Sequence, residues 1–436
     1  MKTILKPMNL FWLIAVIIFA IIFIYSDKDI SLDSTSSHIT KIHYADGITP
    51  THLQLIEKFN KKYNGRIEVV PIDLPFNKFS TNERKELLAR ALRSKSEKID
   101  LFAVDIVWGY RFAKWAENLT SYFSKEMLGT MIEPILPTCY YNDSLFAFPF
   151  TIDIATMYYR DDLLQNLPNY SEIKHKLENS ITWEDFIQLG LKLNDSQKPF
   201  FSFPASDYEG LICGFTEMIL NQDRNFFDNG KIDLTRPESV RALTTLTDLI
   251  NKYSLTPKAV TAFTEHPCHR FYIDNNGYFV RSWPTFFSEN YSTIDTAIRD
   301  DIKRIPTPHF RGTKPAVVYG GWNLVVSKFS EHKPEVLEFI RFLLRPESQQ
   351  ELFEGNGSLP VLKSVYENSD VEDAEVLNYY KKQIEFGVHR PLLEDYSRIS
   401  DIISYYVHKA LLQEIGVEEA LFEATRMVNS NEVIFK

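Results

Sequence analysis

Beyond Asp100 the chain reads Leu101-Phe-Ala-Val-Asp-Ile-Val107, apolar except at Asp105. A strand that is apolar on both faces needs cover on both, and mainly parallel sheets flanked by helices provide it. The preceding residues supply those helices. Positions 39–45 alternate, with Ile42 and Tyr44 on one side, as a strand does. Thr49-Pro50 can open a helix, since proline suits the first helical position. Leu53, Ile56, Phe59 and Tyr63 fall on one stripe of it, and Gly65 marks its end. Positions 67–74 read as a second strand. Positions 83–93 read as a second helix with Leu87, Leu88 and Ala91 facing inward. The order β-α-β-α-β is the signature of a doubly wound α/β domain.

Asp105 stands out in that frame. A carboxylate on a buried strand is costly unless it is paired or sits at the strand's end. Strand ends are where open α/β sheets bind ligands. The same position also suits an aspartate that caps a helix over 109–115, and position alone does not separate the two readings.

Farther along, 141–150 reads as a turn and a strand reaching Pro149-Phe-Thr-Ile-Asp153, and 157–160 as another strand. Thr182-Trp-Glu-Asp185 and Thr235-Arg-Pro-Glu238 fit capping boxes that open helices. A turn at Asn275-Asn-Gly277 precedes a strand over 278–281. Val317-Val-Tyr-Gly-Gly-Trp-Asn-Leu-Val-Val326 is strand-like around a double glycine, and 335–344 and 399–412 are amphipathic helices. The body from about 39 to 430 is α/β throughout, and its size suits two similar lobes better than one sheet.

The formal charge of −10 disfavours nucleic acid and anionic lipid as partners and suits a neutral or cationic ligand. Cys139, Cys213 and Cys268 are odd in number and far apart, so no disulfide framework is expected. His266-Pro-Cys-His269 gathers metal-ligating residue types, but no second cluster lies near it in sequence. It reads as a chance grouping, and no metal or cofactor is expected.

Lys2 and Lys6 precede an unbroken apolar run from Leu10 to Tyr25. A signal peptide's apolar core is about 7–15 residues; a membrane span needs ~20, with a lower limit near 17. Bulky Ile22-Phe-Ile-Tyr25 stands where small residues would mark cleavage, and no cysteine follows to accept a lipid. The expectation is an uncleaved signal-anchor, a single transmembrane helix over 1–26, and a polar tether over 27–38. The basic start keeps the N-terminus inside the cell membrane and holds the rest outside the cytoplasm.

The order and spacing of several stretches resemble the extracytoplasmic sugar-binding proteins of ABC importers, within the extracellular solute-binding protein family, and the trehalose/maltose-binding branch in particular. The stretches are Phe59-Asn-Lys-Lys-Tyr-Asn-Gly65, 83–96, 100–108, Ala147-Phe-Pro-Phe-Thr-Ile-Asp153 and Met157-Tyr-Tyr-Arg-Asp-Asp-Leu163. Tyr208-Glu-Gly-Leu211, Arg281-Ser-Trp-Pro284, Gly320-Gly-Trp322, Ser327-Lys-Phe-Ser330 and Arg390-Pro391 continue the series. The resemblance implies a type II-like periplasmic-binding-protein fold with a ligand cleft between two α/β lobes. One lobe would comprise 39–150 and 317–370, the other 151–316 and 371–436. It implies capture of a mono- or disaccharide, delivery to an ABC permease, and no enzymatic activity.

Sugar chemistry selects residues within that frame. Carboxylates accept hydrogen bonds from paired hydroxyls, arginines donate to sugar oxygens, and indoles cover the apolar C–H faces at small entropic cost. Asp105 and Asp153 are the expected acceptors and Arg84 and Arg390 the donors. Trp283 and Trp322 are the stacking platforms, with Gly320 and Gly321 allowing close approach, and Trp108 and Glu209 are secondary candidates. The plainer readings are a helix-surface pair for Arg84, a packed strand end for Trp283 and an interlobe salt bridge for Arg390. Two positions depart from the family pattern. Thr49-Pro-Thr51 stands where relatives often carry an acidic contact, and Thr151 where a tyrosine is expected. The rival functions are a ligand-binding sensor for a membrane partner and a glycoside hydrolase using Asp105 and Asp153.

Overall fold

The computed structural model of the chain describes residues 39–434, apart from positions 96, 97, 194, 196, 229, 369, 372, 431 and 433. The expected signal-anchor and tether lie outside the described residues. Among the described residues no helix is long and apolar enough to cross a membrane.

The first sheet is built as its sequence pattern requires. Strand β1 (Thr40–Asp46) pairs in parallel with β2 (Ile67–Asp73) on one side and β3 (Leu101–Asp105) on the other. Between them run helices α1 (Pro50–Lys62) and α2 (Thr81–Ser94). Thr49 caps α1 in a box with His52, and Ser80 caps α2 in a box with Glu83. Each box satisfies backbone N–H groups that a helix start leaves unpaired. The buried face of α2 is Arg84, Lys85, Leu88, Ala89 and Leu92; of the expected stripe Leu88 is buried, whereas Leu87 and Ala91 are only partly so. Two basic side chains thus occupy the inward face. Leu53 of α1 is exposed, its place in the core taken by Leu55.

Strand β4 (Phe148–Ile154) completes this sheet, and one residue later β5 (Thr156–Arg160) begins the second. The chain therefore crosses between sheets at Ala155. The second sheet adds β6 (Phe201–Ser202), β7 (Phe279–Ser282) and β8 (Ile302–Ile305), in the order β8-β5-β7-β6. Helices α3 (Glu209–Leu220) and α4 (Glu265–Asp274) belong to this part of the chain. The chain returns through β9 (Val317–Val326), which runs antiparallel to both β3 and β4 in the first sheet. The short β10 (Gly387–Val388) pairs with β9, and α5 (Tyr396–Leu411) follows and packs on α3. The three cysteines are free and buried. Thr182 caps its helix through Asp185 N–H as expected, whereas Thr235 bonds to Asp233 and Arg236 takes the cap position.

Candidate functional site

A cavity of about 530 Å³ lies where the two sheets face each other. Asp46 and Asp105, at the carboxyl ends of β1 and β3, reach it from the first sheet. Asp153, Trp322, Gly320 and Gly321 reach it from the antiparallel pair β4–β9, and Glu209, Trp283, Glu265, His266 and Glu289 from the second part. Arg390 closes the floor. This volume is ordinary for a small-molecule site, and strand ends are the expected place for one.

The floor is an ion network centred on Arg390. Arg390 Nη1 donates to Glu209 Oε1 at 2.7 Å and Nη2 to Asp105 Oδ1 at 2.8 Å. Glu209 also accepts from Tyr396 Oη at 2.7 Å and from Ser400 Oγ. Asp105 Oδ1 accepts Val107 N–H at 3.0 Å and so caps the 3-10 turn Ile106–Trp108, not the expected helix over 109–115, which begins at Gly109 without a side-chain cap; Asp105 also lines the cavity. Burial opposes the charge on Arg390, but Asp105 and Glu209 beside it hold its pKa well above the usual range. Arg390 is thereby a strut between the end of β3 and the start of α3.

Arg84 is a second strut, not a wall residue. Its guanidinium donates to Asp46 Oδ1 at 2.9 Å and lies 3.9 Å from the centroid of Phe76 and 4.4 Å from that of Trp322. It stiffens Trp322 from behind, while Tyr44 Oη and Gly47 N–H occupy the rest of Asp46. Trp108 is a correction as well. It is 2% exposed, sits in the core under Lys85 and does not line the cavity. The strand that carries Asp105 ends before it, and the next turn rotates the indole inward.

Asp153 is the opposite case. Its Oδ1 is buried and has no hydrogen-bond partner among the described residues. Burial, with Glu289 and Asp105 nearby, pushes its pKa up to about 7. Gly320 stands directly across from it in the β4–β9 pairing, and a Cβ there would come within 3.0 Å of the Trp283 ring and 3.2 Å of Asp153. The missing side chain is what lets indole and carboxylate sit side by side. Gly321 has φ +124° and a Cβ would meet Thr151 O at 2.4 Å. Only glycine tolerates that backbone. A bulge between Trp322 and Asn323 follows at once and re-aims the tryptophan.

Seven of the nine expected residues, Asp105, Asp153, Glu209, Trp283, Gly321, Trp322 and Arg390, thus line one cavity. Sequence reasoning missed Asp46, although the strand-end argument that picked Asp105 applies equally to it. It also missed Phe76, which only the fold brings onto Arg84 and Trp322.

Two α/β lobes enclosing a polar cavity with aromatic walls define a solute-binding protein. The chain belongs to the bacterial extracellular solute-binding protein family, whose model matches residues 54–378. Its binding domain accordingly works outside the cytoplasm, and the family and its structural neighbours are substrate-binding proteins, not enzymes. A probable ABC transporter-binding protein of Deinococcus radiodurans is 25% identical over 353 residues, 78% of this chain and 82% of that one. The maltose-bound MalE3 of T. maritima superposes with a TM-score of 0.80 at 26% identity, covering 89% of this chain and 99% of its own. An α-D-tagatose-bound solute-binding protein of Thermotoga lettingae gives a TM-score of 0.76 at 22% identity, covering 90% and 98%. The latter likeness is one of fold.

Proposed function

We propose that this protein captures a small neutral sugar, a mono- or disaccharide, in the cleft and delivers it to the permease of an ABC importer. The observation that carries the reading is Asp153: a buried carboxylate oxygen without a hydrogen-bond partner among the described residues, facing a cavity and flanked by the Trp283 indole. A sugar hydroxyl satisfies that oxygen, and the ring's C–H face suits the indole. The similar maltose-bound structure supports the same chemistry. Asp153, Trp283, Trp322 and the Gly320-Gly321 backbone are the proposed contacts. Asp105, Glu209, Arg84 and Arg390 hold them in place.

Calorimetry with a panel of neutral mono- and disaccharides, with product analysis of the recovered ligand, tests this. At least one sugar is expected to bind and to return unchanged. Silence across the panel together with stabilisation by a peptide or polyamine would overturn the sugar reading. Cleaved sugar would overturn the transport reading in favour of hydrolysis. Reconstitution with candidate permeases, scored by uptake, tests delivery.

A further inference from the structure

His266-Pro-Cys-His269 has no second ligand cluster near it in sequence, but the fold brings a carboxylate to its two histidines. The two histidines lie one turn apart on α4, so both rings leave the same face. Glu289, on the short helix Phe286–Asn290, places Oε2 4.0 Å from His266 Nδ1 and 3.7 Å from His269 Nδ1. The three side chains offer ligand atoms all within 4.8 Å of one another. A tetrahedral zinc ion with bonds of about 2.0–2.1 Å needs its ligand atoms roughly 3.4 Å apart. Small side-chain rotations close that gap.

The surrounding bonds already orient the set. Asn290 Nδ2 donates to His269 Nδ1 at 3.2 Å, which makes that nitrogen the acceptor. The proton then sits on Nε2, which faces Ser282 Oγ at 2.7 Å. Metal-ligating histidines are held in this way, with the distal N–H bonded to a neighbour. Thr285 Oγ1 donates to Glu289 Oε1 at 2.7 Å and leaves Oε2 toward the histidines. Cys268 turns away into the small core around Tyr158 and Phe286.

We propose that His266 Nδ1, His269 Nδ1 and Glu289 Oε2 bind one divalent transition metal of the zinc class in the wall of the cleft. Two imidazoles and one carboxylate suit zinc or cobalt better than calcium or magnesium, which prefer all-oxygen shells. His266 and Glu289 line the cavity, so the remaining coordination position opens onto it. Three protein ligands with one open position is the arrangement that leaves room for water or a ligand oxygen. The ion also offsets the crowding of Glu265, Glu289 and Asp153 on that wall. On binding, Asn290 releases Nδ1 and keeps its 2.8 Å bond to Phe286 O.

The test uses the purified full-length chain, stripped with a chelator and titrated with Zn²⁺ or Co²⁺ in the absence of any sugar. Its outcome is therefore separate from that of the sugar reading. One Zn²⁺ per chain is expected, with the visible absorption of low-coordinate Co²⁺. His266→Ala and Glu289→Gln should each weaken zinc binding on the order of tenfold or more, with circular dichroism of the metal-free protein unchanged. Zinc binding at parental strength in the double variant, or no saturable binding by the parent under a several-fold excess of metal, would overturn the proposal.

Discussion

The cleft has two kinds of wall. The floor around Arg390 is paired: every charge there has an opposite charge against it, and Glu209 two hydroxyls besides. The wall around Asp153 is open, with an unpartnered oxygen and an indole held close by a glycine. Both are built from acidic residues facing the same cavity. The difference is what each carboxylate already holds. A carboxylate committed to arginine has little to offer a ligand, whereas an orphaned one gains a bond that the protein does not supply. Charge within a cleft therefore does not mark a contact residue until its partners are counted.

The largest effect expected follows from the paired side. Arg390→Met leaves Asp105 and Glu209 buried without their cation, and breaking such a pair costs about 3–5 kcal/mol. Denaturant unfolding measures it. A loss below about 1 kcal/mol would mean that the floor is hydrated and does not brace the lobes.

Asp153 gives the opposite sign. Its folded pKa of about 7 exceeds its ordinary value of 3.8, so the folded state holds a proton that the unfolded state releases between those values. Stability therefore falls as pH rises from about 4 to about 7 and then levels. Asp153→Asn should reduce that slope to the part that Glu289, also raised to about 7 by burial, contributes, and should stabilise the sugar-free protein at pH 8 by about 2 kcal/mol while weakening sugar binding. Thermal unfolding across pH checks both the slope and its reduction. An unchanged slope in the variant would assign it wholly to Glu289.

Gly321→Ala tests the backbone beneath both walls. A Cβ at φ +124° meets Thr151 O at 2.4 Å, and strain of this kind costs about 1–3 kcal/mol. Stability at the parental level would show that the strand shifts freely and that the bulge at Trp322 is not fixed.

Much of this was legible in the sequence. The β-α-β-α-β order over 39–107, the strand end at Asp105 and the double glycine before Trp322 each follow from local pattern. What was not legible depends on partners distant in the chain. Arg390 reads as a sugar donor until Asp105 and Glu209 are seen against it. Arg84 and Lys85 share an inward face with Leu88, Ala89 and Leu92 where apolar periodicity assigns Leu87 and Ala91, because ion pairs with Asp46 and Asp401 let two basic residues lie there. Trp108 looks like a cleft residue by its nearness to Asp105, and one turn of helix moves it into the core. The grouping of His266 and His269 reads as chance in sequence because Cys268 beside them turns into the core and Glu289 arrives from another helix.

The two tryptophans sharpen the comparison most finely. Trp322 has Arg84 over its ring and Phe76 against its edge, so one face is already occupied by protein. Trp283 contacts the Gly320 position at its ring edge, beside the orphaned Asp153. If the open wall carries recognition, Trp283→Ala should cost at least tenfold in affinity for the best sugar, about 1.4 kcal/mol. Trp322→Ala should cost a similar amount but also lower stability, because Arg84 loses the ring it stacks on. Calorimetric affinity paired with unfolding of each sugar-free variant separates the two. A Trp322→Ala affinity within about twofold of the parent would remove that ring from the stacking assignment and leave recognition to the Asp153–Trp283 wall alone.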